Sequence, residues 1–256
     1  MTAGAAGPRA FAPDEAVPTQ PPGWSLLFAW AGALLFVVSL SYFVYAYIVR
    51  FGRTVTGDAH APAVLVDTAL FTVFALHHSI FARERAKAWL RRVMHPAVER
   101  SIYTWLASIL LIFVCARWEL VPGAVYRIPD GWSVVGYAAQ VCGVFLAFHG
   151  SKVLDVLDLA GVRPILNARA GRAPSHVPLI TGGVFGLVRH PIYFGWALFV
   201  FGSPHMTATR FVFAVISTAY LAMAIPWEER GLVKEFGSRY EEYQQRVRWR
   251  MVPGLY

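Results

Sequence analysis

Residues able to do chemistry are densest between Thr181 and Gly195, where the chain reads Thr-Gly-Gly-Val-Phe-Gly-Leu-Val-Arg-His-Pro-Ile-Tyr-Phe-Gly. Glycines such as Gly183 and Gly195 let a ligand approach the backbone closely, and Pro191 suits the first turn of a helix. Arg189 and His190 then stand at a helix N-terminus, whose free N–H groups favour an anion. A ligand with a carboxylate and an adenosine fits there, its carboxylate on Arg189. A plainer reading is equally open: Arg189 as a lipid-headgroup contact and His190 as a helix cap. A second group is Glu228-Glu229-Arg230, at the end of an apolar run. Two adjacent acids in that position are costly unless paired or hydrogen-bonded. A cationic or hydroxyl-bearing ligand would satisfy one; alternatively Glu228 pairs with a loop arginine while Glu229 and Arg230 stay solvated. A third is His77-His78, embedded in an apolar run where a polar side chain faces the protein interior. His78 suits a general base or, in the plainer reading, a hydrogen bond to Ser79 or Asp67.

The elements that must position these groups are membrane helices. The chain is 57% hydrophobic and only 15% charged, where a soluble domain is about a quarter charged. A crossing takes about 20 mainly apolar residues. Trp24 to Val49 and Ala63 to Phe81 meet this, the second with one acid, Asp67; Ser101 to Ala116 and Trp132 to Phe148 follow without charge. Pro191 to Ser203 and Phe211 to Trp227 form a tight apolar hairpin. The first arm, 13 residues long, is short for a full crossing. The expected fold is all-α: a polytopic membrane bundle of four clear spans, a C-terminal helical hairpin and a cytoplasmic amphipathic helix. That last helix is predicted from Leu232, Phe236, Tyr240, Tyr243 and Val247, which fall on one face. Three parts follow: an unstructured tail over 1–23, N-terminal helices over 24–151, and a ligand-binding loop, hairpin and C-terminal helix over 152–256.

Charge sets the orientation. With the N-terminus in the cytoplasm, eighteen of the 23 Lys and Arg fall on the inner side, including Arg9, Arg83 and the segments after Lys152 and Trp227. Arg50, Arg53, Arg117, Arg127 and Arg210 fall outside. Both termini are therefore expected in the cytoplasm. The excess charge of +8 then meets anionic lipid rather than nucleic acid, because the basic residues flank apolar spans. The basic stretch from Arg83 to Arg100 carries Trp89, Leu90 and Val93, the pattern of a segment lying among headgroups. The inner segment from Lys152 to Arg189, broken by glycines and prolines, reads as loop with short helical pieces. Cys115 and Cys142 lie in separate apolar runs, which argues against a disulfide or thiolate metal site.

Arg189-His190-Pro191-Ile192-Tyr193-Phe194-Gly195, followed by Glu228-Glu229-Arg230-Gly231-Leu232 and Phe236-Gly237-Ser238-Arg239-Tyr240-Glu241-Glu242-Tyr243, resembles the isoprenylcysteine carboxyl methyltransferase and phospholipid methyltransferase superfamily. Upstream, His78-Ser79-Ile80-Phe81, Val98-Glu99-Arg100-Ser101-Ile102-Tyr103, Asp158-Leu159-Ala160-Gly161 and Ser203-Pro204-His205-Met206 are similar to its NnrU-like branch and to methanethiol S-methyltransferases. The resemblance implies methyl transfer from S-adenosylmethionine to a small thiol at the membrane. The cofactor would lie on the cytoplasmic side among the last helices, against Arg189, His190, Tyr193, Gly195, Glu228 and Glu229. The chain departs from the thiol branch at Asp155-Val156, where that branch carries Asn-His; this bears on the acceptor more than on the cofactor. Methyl transfer needs alignment and a deprotonated acceptor but no metal. The groups near the inner face that could take the proton or supply a positive field are His78, His149, Lys152, and Asp155 or Asp158, with His78 ranked first. Three other readings are a methyltransferase acting on a lipid or prenyl-cysteine carboxylate, a membrane haem protein ligated by His77 or His78 with His149, and a non-catalytic scaffold.

Overall fold

The computed structural model describes residues 20–58, 61–81, 84–152, 155–173 and 178–256. Most of the expected tail, with Arg9, lies outside them, as does Arg83. In hydrocarbon a backbone must satisfy its own polar groups, so the apolar runs become helices. They are α1 (Ser25–Tyr45, continued by a π-helical turn, Ala46–Arg50), α2 (Ala61–Phe81), the short α3 (Glu84–Val93), α4 (Glu99–Arg117) and α5 (Ser133–Lys152). After them come α6 (Val156–Leu159), α7 (Val162–Arg169), α8 (Pro191–Phe201), α9 (Ala208–Phe236) and α10 (Ser238–Arg246). Among the described residues, five helices are long and apolar enough to cross a membrane. The outward faces are apolar: Leu27, Leu34 and Val37 on α1, Leu65 and Val73 on α2, and Val141 and Phe145 on α5 are all exposed. This is an all-α polytopic membrane bundle.

Helix α1 packs on α4, α2 on α4 and α9, and α5 on α8. The last contact is built from glycine. Gly136, Gly143 and Gly150 recur every seventh residue on α5 and meet Gly202, Gly195 and Ile192 of the antiparallel α8. A Cβ on Gly143 or Gly195 would run into the other's carbonyl oxygen, so the two backbones touch, as small residues allow between membrane helices. The first hairpin arm is helical for only 11 residues, about 16 Å. It nevertheless runs along α5 from Ile192 beside Gly150 to Gly202 beside Gly136. At its far end β2 (His205–Thr207) pairs antiparallel with β1 (Ala124–Arg127), in the register Tyr126↔Met206 and Arg127↔His205.

Two arginines tie that far end together. Arg50 donates to the carbonyls of Cys115, Ala116 and Trp118 at 2.6–2.8 Å, capping the last turn of α4. Arg210, buried, donates to Tyr47 O, Ile48 O, His205 O and Ser203 Oγ, closing the widened π turn of α1. Below them Phe43, Tyr47, Phe51, Phe71, Trp118 and Phe213 form a buried aromatic core.

The opposite end holds the candidate residues around the start of α8. Pro22, reached by Arg169 of α7, and Tyr256, reached by Arg250, both lie there. The loop after α5 folds into the expected short pieces, α6 and α7, which dock on α1 and α4 through Ala29, Ala97, Ala160, Val162 and Ile165. Helix α3 presents Trp89 and Val93 outward. The last span and the start of the amphipathic stripe form one continuous helix, α9, with Pro226 inside it. That proline has no N–H for the carbonyl of Ala222; the Tyr256 hydroxyl donates to that oxygen at 3.2 Å. The break comes later, at Gly237, whose φ of 60° favours glycine. The predicted stripe survives it: Tyr240, Tyr243 and Val247 are buried with Leu232 and Phe236 packed on them.

Candidate functional site

Where α8 begins and α9 leaves the bundle, a cavity of about 450 Å³ opens. One wall carries the polar groups Arg189, His190, Tyr193 and Glu228; the other is apolar and aromatic, from Leu179, Ile180, Phe185, Leu232, Phe236, Tyr240 and Tyr243. Tyr243 donates to Phe185 O at 2.7 Å, which fastens the loop before α8 onto α10. Burial pushes the Tyr243 phenol up to about 12 and that of Tyr240 higher still, so both remain neutral hydroxyls.

The two adjacent acids have separate surroundings. Glu229 is 4% exposed. Arg189 Nε lies 2.6 Å from its Oε1 and Arg189 Nη2 3.2 Å from its Oε2. Arg250 Nε at 3.3 Å and Gln244 Nε2 at 3.2 Å share Oε2. Glu228 is half-exposed on the cavity side, where the Tyr193 hydroxyl donates to Oε1 at 2.5 Å. The His190 ring lies between the two, 3.6 Å from Glu228 Oε2 and 3.4 Å from Glu229 Oε1, and stacks on Tyr193 with centroids 5.4 Å apart. Successive residues on a helix differ by about 100°, which sends one acid into the protein and its neighbour into the cavity.

Arg189, expected to hold a ligand carboxylate, is hydrogen-bonded mainly within the protein. Besides Glu229 it donates from Nη1 to Val247 O and Arg248 O, so four of its five N–H groups are already engaged. Its own amide, and that of His190, donate to Trp249 O and Arg250 O. The start of α8 is thus bound by the segment 247–250 and closed by amide bonds from Tyr193 and Phe194 back to His190 O. Most of the donors expected there to meet an anion are hydrogen-bonded to the protein itself.

The other expected residues are dispersed. Gly195 faces Gly143 of α5 and does not line the cavity; Gly183 opens a 3-10 turn at φ 60° with open space around it. His149 folds onto its own helix, its ring centroid 3.9 Å from that of Phe145. Asp158 lies on α6, held to α4 where Thr104 donates to Leu159 O. Its neighbour Asp155 caps α6 and pairs with Arg163, which holds its carboxyl below the usual carboxylate range. His78, at the end of α2, has its Nδ1 2.6 Å from the Tyr103 hydroxyl of α4. Tyr103, Arg250 and the aromatic wall went unread in the sequence as site groups; the Gly-x6-Gly repeats of α5 and α8 were a signal there for helix contact.

Among the described residues, no three His, Cys, Asp or Glu gather as metal ligands. No family model and no solved structure matches the chain. Curated relatives do. Methanethiol S-methyltransferase 2 of Bradyrhizobium diazoefficiens is 33% identical over 237 residues, covering 90% of each chain. Methanethiol S-methyltransferase of Mycobacterium tuberculosis is 31% identical, over 87% of this chain and 93% of that one. Protein-S-isoprenylcysteine O-methyltransferase B of Arabidopsis thaliana is 38% identical over 79 residues, 30% of this chain and 40% of its own. A membrane bundle with these relatives is an integral membrane methyltransferase. Within that class, the chain belongs to the methanethiol S-methyltransferase family.

Proposed function

We propose that the cavity at the start of α8 binds S-adenosylmethionine and that the acceptor is a small thiol, methanethiol, giving dimethyl sulfide. The observation that carries this reading is the pairing of one half-exposed carboxylate, Glu228, with a long aromatic wall in a cavity of about 450 Å³. That volume is within the range of small-ligand sites, roughly 300–1,000 Å³. When bound, S-adenosylmethionine supplies an electrophilic methyl group on a sulfonium. Glu228, steadied by Tyr193 and His190, faces the cationic end of the ligand; Phe185, Phe236 and Tyr240 take the adenine. Arg189 and Glu229 act one step back, fixing the wall that presents His190. His78 is the group offered as base, and the thiol itself is suggested by the names of the relatives.

The charge bias of the loops supports placing this end in the cytoplasm of a bacterium, with the bundle in its inner membrane. Residues 24–151 then form the helical scaffold and 152–256 the donor-binding part. Purified protein titrated calorimetrically with S-adenosylmethionine should bind it, and Glu228→Gln should weaken binding by tenfold or more. Headspace analysis of membranes given methanethiol and S-adenosylmethionine should detect dimethyl sulfide. Donor binding without dimethyl sulfide, but with methylation of added lipid or prenyl-cysteine, overturns the thiol assignment alone.

A further inference from the structure

His77, His78 and Tyr103 form a polar cluster beside the cavity without lining it. The Tyr103 hydroxyl is 2.6 Å from His78 Nδ1, and the His77 ring stacks on Tyr103 with centroids 5.5 Å apart. Their depth follows from the contact between α2 and α9. Phe71 lies against Tyr220, ring centroids 5.5 Å apart, and Thr72 hydrogen-bonds the Tyr220 hydroxyl. Both helices run from that contact towards the site. His78 is seven residues past Phe71, so about 10 Å deeper and within ~20° of the same face. Glu228 is eight residues past Tyr220, about 12 Å deeper. The His78–Tyr103 pair therefore stands level with the Tyr193–Glu228 pair, and Tyr103 is within electrostatic reach of both.

We infer that Tyr103 and His78 form the acceptor half of the site, with Tyr103 the residue that takes the thiol proton and passes its own to His78. This rests on the reading of the neighbouring cavity as the donor pocket. The step balances. The thiol S–H bond breaks and its proton goes to the Tyr103 oxygen, while the Tyr103 proton goes to His78 Nδ1, the ring being in its Nε2–H form. The sulfur's freed electron pair forms the new S–CH3 bond. The methyl's old bond to the sulfonium breaks, and its electrons return to the donor sulfur. The titratable groups facing His78 are His77 on α2 and Tyr103 and Arg100 on α4, and those facing Tyr103 include Tyr193 on α8 and Glu228 on α9.

The test compares wild type, Tyr103→Phe and His78→Gln in detergent, with methanethiol as acceptor, across pH 6.5–9.5. Affinity for S-adenosylmethionine is measured by calorimetry alongside. Both variants should keep donor affinity within about twofold. At neutral pH their kcat/KM for methanethiol should fall about 10²-fold, the usual worth of a positioned base. That deficit should shrink about tenfold per pH unit as solvent supplies the thiolate. A merely structural tyrosine gives a deficit that pH does not repair. A pH-independent loss, unchanged activity, or loss of donor affinity in Tyr103→Phe overturns the inference. If wild type binds donor but makes no dimethyl sulfide, it is the thiol reading that fails; if wild type makes it and the variants match wild type, only the proton route fails.

Discussion

The neighbouring acids of α9 should respond oppositely to the same substitution. Glu229→Gln leaves the buried Arg189 facing an amide, and weakens the holds of Arg250, Gln244 and His190 on the same carboxylate. Removing one partner of a buried ion pair costs about 3–5 kcal/mol. The Gln oxygen still accepts from Arg189 Nε, so the lower end applies, about 3 kcal/mol. In a chain of this length 1 kcal/mol moves the melting midpoint by roughly 2–4 °C, so Glu229→Gln should melt roughly 6–12 °C below wild type. Glu228→Gln removes a half-exposed group whose Tyr193 contact the amide oxygen can keep; its midpoint should stay within about 2 °C. The assay is a tryptophan-fluorescence melt in detergent, run with and without S-adenosylmethionine. Donor should raise the midpoint of wild type and of Glu229→Gln at saturation, but hardly that of Glu228→Gln at the same concentration. Equal melting of wild type and Glu229→Gln would falsify the assignment of Glu229 as the buried anchor.

Three further outcomes follow from the geometry. Tyr256→Phe strips the Ala222 carbonyl of its donor, a loss of about 1–3 kcal/mol, and should lower the midpoint by several degrees; in a Pro226→Ala background, where the helix supplies its own N–H, the same change should cost less, leaving only the lost contact from Arg250 to the hydroxyl. Gly143→Val places a branched side chain against the Gly195 backbone and should cost about 1–3 kcal/mol or more by overpacking, read as lost monodisperse yield, while Gly131→Ala, with open space around it, should be tolerated. Asp155→Asn should lower the midpoint at neutral pH: Arg163 depresses the Asp155 pKa, so its contribution is present above the ordinary carboxylate value of about 3.9 and lost as pH falls below it. The gap between the two melting curves should therefore close in acid.

The spans were legible because hydropathy is a local property: the uncharged run from Trp24 to Val49 needs no partner to be recognised. The loop pieces before Arg189 were legible from their glycines and prolines. The candidate site was legible as a neighbourhood, in that His190, Tyr193 and Glu228 do meet. Their roles were not, because they depend on contacts remote in sequence. Nothing near Arg189 reveals that Val247 and Arg248, some 60 residues on, present carbonyls to it. Nor does anything near Pro226 reveal that the hydroxyl relieving its missing N–H is 30 residues away, at Tyr256. Gly195 suggested ligand approach; its seven-residue spacing from Gly202, matched on α5, points instead to a neighbouring helix.

That glycine spacing has a consequence for alignment. An antiparallel pair carrying Gly136, Gly143 and Gly150 against Gly195 and Gly202 fits nearly as well after a slip of one repeat, about 10.5 Å, with Gly143 opposite Gly202 and Gly150 opposite Gly195. The interlocking surface alone is therefore a vernier with more than one coincidence. The β1–β2 ribbon, together with Gln140 donating to Phe199 O, admits one setting. Because Gly150 and Ile192 both wall the cavity, a short ribbon at one end of the bundle calibrates the dimensions of the pocket at the other.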